Sequence, residues 1–550
     1  PCLPSPRSYL LYLFNGSINP NRGLPLHGLP LPPTMLPHPE MDASETQDLV
    51  DRRAAEPAKP AGEGAKGPDG PGGRALAVAS EPGRWVGMLC RELNPSFVFG
   101  VVVVYGLTQG FAGSFFRVVS DYYWKDVQRV QPSAVQVYIG LYYLPWVMKP
   151  LWGLLTDVFP VSGYHRRPYF VISGFLGVLA ALTVSIHAKL PVAMALLCLV
   201  GMTAAVAVAD VTIDACIARN SIARPDLAPD MQSLCGFASS AGALVGYSTS
   251  GLSVRLLGAQ GALGLLAVPP ALLVVLGAVF YEHRSSRRSE TEKVVEKVRG
   301  AVLGMGRTIR CPQVWKPSLY MYLSLALSIS THEGQFYWYT DPKAGPAFSQ
   351  EFVGMVYAVG AMASLAGVLI YHKALKDYPF RTLLFFAQLL YAVSGMLDLA
   401  FVLRWNLRLG LPDSLFVVLE ECCSRVVSRI RWMPMMVLST KLCPLGIEGT
   451  FFALLMCIDS LGALTSKSLG GLLLALLRVT RTDFRNLWLA VLLRNLLRLA
   501  TLGLICLVPR SEQSDALLPA DLLAAPSTAE EESLQLTVHK EQGGEGEEVV

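Results

Sequence analysis

Along most of the chain, apolar residues come in blocks separated by short polar breaks. The blocks run to roughly 20 residues, the length a helix needs to cross about 30 Å of hydrocarbon. Twelve such spans lie near 96–120, 133–155, 169–188, 191–217, 231–254, 258–281, 318–340, 350–371, 382–404, 411–440, 449–476 and 486–508. This pattern predicts an all-α membrane protein with twelve transmembrane helices.

The polar segments outside the blocks differ in kind. Residues 1–95 are rich in Pro, Gly and Ala over most of their length and cannot build a core, so they are expected to be a disordered tail. The apolar stretch Tyr9–Phe14 is short for a signal-peptide core. The first acid is Glu40, as in a plastid transit peptide, but the usual Arg and Ser richness is missing. A plasma or organellar membrane is therefore expected, with the plastid the less favoured choice. The chain begins at Pro1, and Met35 and Met41 are the expected true starts. Residues 509–550 are acidic, poor in aromatics, and expected to be a second disordered tail. Residues 282–317 contain EHRSSRRSETEKVVEKVRG, with nine Lys/Arg between Arg284 and Lys316. The positive-inside rule places this linker in the cytoplasm, and both termini with it.

The chain also repeats itself. Asp157 in WGLLTDVFPVSGYHRRP and Asp377 in GVLIYHKALKDYPFR are 220 residues apart, as are SAGAL at 240–244 and SLGAL at 460–464. One offset shared by two separate anchors points to two six-helix pseudo-repeats, 96–281 and 318–508, joined by the basic linker. Paired bundles around a midplane cavity are a transporter architecture.

Composition narrows the function classes. Of 550 residues, 52% are hydrophobic and 16% charged, and mean hydropathy is +0.41; a soluble chain carries nearer ~25% charged residues. A net charge of +4 without basic runs interleaved with aromatics gives no case for nucleic acid. Eleven scattered cysteines show no CxxC pair, so neither disulfides nor zinc are expected. HEGQF lacks the second histidine of a zinc site, and there is no GxSxG elbow or Walker loop. The chain reads as no enzyme, with no cofactor and no metal, and as a monomer.

Several stretches are specific enough to carry a resemblance. GLLTDVFPVSGYHRRP resembles the major facilitator signature, with a few residues inserted before Gly163. VVYGLTQG, YYWKDVQRVQPSAVQVY, ADVTIDACIARNSI, DMQSLCGFASS, HEGQFYWYTD, KDYPFR and WMPMMVLSTKLCPLGIEGTFFALLM resemble the folate–biopterin transporter family, plant members above all, over about residues 95 to 510. The resemblance implies a major facilitator fold and secondary transport of folates or pterins with protons by alternating access. The rival reading is a carrier of the same build for another small organic anion.

Charged residues inside the spans are the candidate site, because lipid cannot solvate them. Asp210 and Asp214 lie roughly 28 and 34 Å along the fourth span at 1.5 Å per residue, near its cytoplasmic end. They are expected to pair with Arg166 and Arg167 as an inner gate, or to serve substrate or protons. Asp157, Asp377 and Arg381 complete the gate candidates. In the tenth span Glu420 and Glu421 come roughly 15 Å in, near the midplane, and Arg425 and Arg429 follow Glu421 at four-residue steps. A carboxylate there can accept the guanidine-like edge of a pterin, and an arginine fork can grip a folate tail. Internal pairing of Glu421 with Arg425 is the other reading. Gln109 is a candidate for a heterocycle, His332 and Glu333 for proton relay. Asp459 and Arg498 are candidate partners for each other. Phe336, Tyr337, Trp338 and Tyr339 are expected in the interfacial belt, or stacked on a pterin.

Overall fold

The computed structural model describes residues 84–282 and 306–511, apart from 160, 188, 225–226, 307 and 444–447. Most of the two expected tails and of the basic linker therefore lies outside the described residues. The chain divides into two units, Pro1–Leu93 and Asn94–Val550. In the first, residues 84–92 form a short helix. All helices named below belong to the second.

Helix α1 runs over Pro95–Val127. It starts where the Asn94 side chain accepts the Ser96 N–H at 3.0 Å, with Pro95 pre-set for the first turn. Wider π-type turns occupy Val102–Ala112 and Tyr123–Val127. The next segment is broken into α2 (Pro132–Leu141), α3 (Leu144–Val147) and α4 (Lys149–Val158). Then come α5 (Arg167–Ile186), α6 (Val192–Ala223), α7 (Ala228–Leu265) and α8 (Val268–Val279). After the linker follow α9 (Pro312–Ala326), α10 (His332–Tyr339), α11 (Gln350–Leu375) and α12 (Phe380–Val402). The series ends with α13 (Asp413–Lys441), α14 (Glu448–Leu476) and α15 (Leu487–Leu507).

Eight helices among the described residues are long and apolar enough to cross a membrane, against the twelve spans read from the sequence. The difference falls at four places, each with a physical cause. Pro145 and Pro150 interrupt the second span. The stretch Asp230–Val279 reads as one span, yet Gly258, at φ +70°, bends the chain inside it. The seventh span is interrupted between Ala326 and His332, and its first helix starts at Pro312 rather than near 318. The tenth carries Glu420, Glu421, Arg425, Arg429 and Arg431 and is too polar to pass as a span on its own.

The helix contacts repeat along the chain. Helix α1 packs on α7 and α9 on α14; α5 packs on α6 and α8, and α12 on α13 and α15. The contacts that cross between the first and second sets of helices also exchange, α7 with α11 and α14 with α2. Glycines explain the repeated SAGAL and SLGAL: a Cβ on Gly242 would run into the backbone at Gly106 and Phe111, and one on Gly462 into Leu325 and the Tyr322 carbonyl. Close backbone approach through small residues is the way helices associate where water gives no hydrophobic drive. Leu179, Ile186, Leu197, Leu256 and Leu476 are more than 60% exposed. Such apolar outer faces suit acyl chains and would be a liability in water.

Candidate functional site

Two adjoining cavities, of about 420 and 320 Å³, lie between the two sets of helices and share Arg117, Tyr143, His332 and Lys467 on their common wall. Charge dominates the larger one. Helix α13 contributes Glu420, Glu421, Ser424, Arg425, Ser428 and Arg431, α12 contributes Asp398, and α15 contributes Arg494 and Arg498. The stripe on α13 thus faces a cavity instead of acyl chains, as the cost of a charge in hydrocarbon requires.

These charges are tied into a network. Arg425 donates to Glu421 at 2.6 Å across one helical turn, with its guanidinium 5.7 Å from the Tyr357 ring centre. Arg494 pairs with Asp398 and donates to Gln335 at 3.1 Å and to Thr331 at 3.2 Å. Gln335 donates in turn to Asp398 at 3.0 Å. Glu420 lies in side-chain contact with Asp398. Arg498 lies 4.1 Å and Arg431 4.7 Å from the Tyr391 ring centre, both at cation–π distance. Arg429 departs from the stripe: it donates to Ser364 at 3.0 Å and lies 5.0 Å from the Trp432 ring centre, and it does not line the cavity. Asp459 and Arg498 form no ion pair among the described residues, since Arg498 is turned toward Tyr391.

The acids of α6 differ from the sequence expectation. Asp210 is buried and paired with Lys149 of α4, and Gln109 of α1 donates to its other oxygen. Asp214 accepts from the Tyr105 hydroxyl. Among the described residues, Asp210 and Asp214 thus meet Lys149, Gln109 and Tyr105 and not the expected Arg166 and Arg167. The cause is the geometry at the start of α5. The Glu282 carboxylate accepts the backbone N–H groups of His165, Arg166 and Arg167 at 2.8–3.1 Å, filling the orphan donors of that helix end. Arg166 donates to Thr156 at 2.8 Å, and Arg167 turns to the Gly277 and Ala278 carbonyls at the end of α8. Arg381 likewise donates to Cys506 and Val508 carbonyls at the end of α15. Asp377 sits in the turn before α12, and the side chain of Asp157, on α4, lies outside the described groups.

His332 and Glu333 open α10. The His332 ring nitrogen Nε2 is 3.2 Å from Asp121 of α1 and 3.4 Å from the Tyr357 hydroxyl. The Glu333 N–H donates to Gln136 of α2 at 2.9 Å. Asp121, His332 and Glu333 bring three donor atoms within 4.8 Å of one another. Arg117 and Lys467 act on the same acids, and that positive charge disfavours a divalent ion there. Phe336, Tyr337 and Trp338 are buried, not in an interfacial belt: Phe336 meets Tyr122 edge-on at 5.0 Å and Trp338 meets Phe401 at 5.2 Å. Trp338 and Tyr339 line the larger cavity.

Hydrogen bonds between the two sets of helices gather at one end. Lys125 donates to Thr340, the Tyr337 hydroxyl to the Val130 carbonyl at 3.0 Å, and the Arg481 N–H to Gln131 at 3.1 Å; Arg255 pairs with Glu351. Arg117, Asp121, Lys149, Asp398, Arg494 and Lys467 are the site residues that the sequence reading did not single out. Each is a charge within or beside an apolar stretch, which by itself marks an interior position.

A model of the BT1 family matches residues 109–520. The chain is 63% identical over 450 residues to the Arabidopsis thaliana protein named "probable folate-biopterin transporter 6", covering 82% of this chain and 90% of that protein. It is 31% identical over 424 residues to the folate-biopterin transporter of Synechocystis sp. (strain ATCC 27184 / PCC 6803 / Kazusa), covering 76% and 83%. Among solved structures, the nucleoside transporter NupG superposes with a TM-score of 0.58 at 13% identity, covering 75% of this chain and 99% of that one. At that identity the match speaks to the fold, which is that of a major facilitator transporter.

Proposed function

The chain belongs to the BT1 family, and on that footing we propose that it moves folates or pterins across a membrane, coupled to protons, by alternating access. It is an integral membrane transporter and not an enzyme. The observation that carries the substrate reading is the larger cavity, whose 420 Å³ falls in the range of roughly 300–1,000 Å³ of small-molecule sites. Its wall offers the two chemistries such a substrate needs. Glu420 and Glu421 can accept the paired N–H donors of a pterin edge. Arg425, Arg431, Arg494 and Arg498 can receive a folate's carboxylates. Trp338, Tyr339, Phe348 and Phe352 supply flat apolar surface for the ring.

Proton coupling is supported by acids placed beside a second carboxylate. Glu420 against Asp398 is one such place, and Glu333 against Asp121 another. The repeated contacts support a division into bundles at 96–281 and 318–508. The proposed working form is a monomer in the plasma membrane or an organellar membrane. The test is uptake of labelled folic acid and of labelled biopterin by the purified protein in liposomes, with and without an imposed pH step. Uptake that saturates, and that is competed by both unlabelled compounds, supports the reading. Uptake of neither would overturn it, and uptake of another organic anion in their place would support the rival.

A further inference from the structure

We infer that fastening the end of the transporter that carries α10 takes up one proton, held by the carboxyl group of Glu333. This deepens the proton-coupled reading above and rests on it for its physiological meaning.

Glu333 is 0% exposed, and among the described residues neither carboxyl oxygen has a hydrogen-bond partner. The nearest ring nitrogen, His332 Nε2, is 3.9 Å from Oε1 and is already engaged with Asp121 and Tyr357. Its position is fixed by the backbone bond to Gln136. Other charged groups face it from two further helices. Asp121 and Arg117 belong to α1, and Lys467 to α14. Neither Arg117 nor Lys467 forms an ion pair with it among the described residues. The hydroxyl-bearing rings of Tyr142 and Tyr337 complete the surroundings, and they feel both Asp121 and Glu333.

A bare carboxylate in such a place is costly: burying an ion without hydrogen bonds costs several kcal/mol, and a second carboxylate beside it adds repulsion. A proton on Glu333 removes both costs. The enclosure exists only while the end is fastened. Gln136 and Asp121 come from the first set of helices, and His332 and Glu333 from the second. The ties Lys125 to Thr340 and Tyr337 to Val130 hold the same wall together. Parting these ties separates Glu333 from Asp121, admits water and lets the proton leave. Closing therefore converts a hydrated carboxylate and a proton from solution into a buried carboxylic acid, and acid pH favours the fastened state.

The full chain in lipid nanodiscs, without substrate, tests this by hydrogen–deuterium exchange of residues 123–131 and 337–345, corrected for the intrinsic pH dependence, between pH 8.5 and 5.5. Protection in the wild type is expected to rise as pH falls, by at most about tenfold per unit for one proton. Glu333→Gln, permanently neutral, is expected to show the same high protection at every pH. A wild-type profile flat with pH, or Glu333→Gln with the wild-type slope, overturns the inference. If Glu333→Gln does not insert, Asp121→Asn decides: removal of the neighbouring charge moves the transition to lower pH, and an unmoved midpoint overturns the inference. Because no substrate is present, failed uptake of folic acid and biopterin would count against the transport reading alone.

Discussion

Arg167 and Arg381 make the same kind of contact at the starts of α5 and α12. Each stands in the first turn of its helix and donates to the last carbonyls of another, Arg167 to Gly277 and Ala278 and Arg381 to Cys506 and Val508. A cation on these orphan carbonyls satisfies them and complements the negative end of the helix dipole. Arg381→Ala is expected to cost about 1.5–3 kcal/mol, the usual worth of hydrogen bonds to a charged group. Thermal melts of the purified protein would register it. Charge reversals combining Arg167 with Asp210 or Asp214 are expected to give additive losses, because the structure does not join them; mutual rescue would speak for a gate instead.

Half-buried Lys149 and buried Asp210 form a pair with opposite behaviour. Removing one partner strands the other charge, and Lys149→Met or Asp210→Asn alone is expected to destabilise by about 3–5 kcal/mol. The double variant is expected to recover most of the loss in melting temperature. A double-mutant cycle with no coupling would remove the pair from the account.

Two glycines of α7 separate packing from helix propensity. A Cβ on Gly236 meets nothing within 4 Å, whereas one on Gly242 would strike the backbone at Gly106 and Phe111. Gly236→Ala is expected to stabilise by roughly 0.5–1 kcal/mol through chain entropy alone. Gly242→Ala is expected to destabilise by about 1–3 kcal/mol through overpacking. Melts of the two variants side by side check both signs.

Arg425 discriminates between the two substrate types if it receives a carboxylate. Loss of a charged hydrogen bond of about 1.5–3 kcal/mol corresponds to roughly tenfold to a hundredfold in affinity. Arg425→Ala is therefore expected to raise KM for folic acid by that factor, with a much smaller effect on biopterin, which has no carboxylate tail. Equal changes for both would place Arg425 in holding Glu421 alone.

Much of this was legible in the residues because lipid imposes strong rules. Block length marked helical segments, and the spacing from Glu421 to Arg425 gave the one-turn pair that the structure forms. The 220-residue offset showed through SAGAL and SLGAL because Gly242 and Gly462 meet backbone or main-chain-proximal atoms that leave no room for a side chain. Partnerships between distant segments were not legible. Nothing in ADVTID says that Lys149 and Gln109, rather than the loop arginines, reach Asp210. Nor does the sequence show that Glu282 already fills the start of α5 and so turns Arg167 away. The aromatics of HEGQFYWYTD looked interfacial by position, yet the interruption before His332 places their helix inside the bundle.

That interruption, between Ala326 and His332, has a mechanical side. Ser466 on α14 donates to the Ser328 carbonyl at 2.7 Å, and its own carbonyl accepts the Ser330 N–H at 3.3 Å, so the gap is pinned from a neighbouring helix. With the axial ladder cut and the cut anchored from α14, the eight-residue α10 takes its position from its neighbours in the bundle and not from the direction of α9.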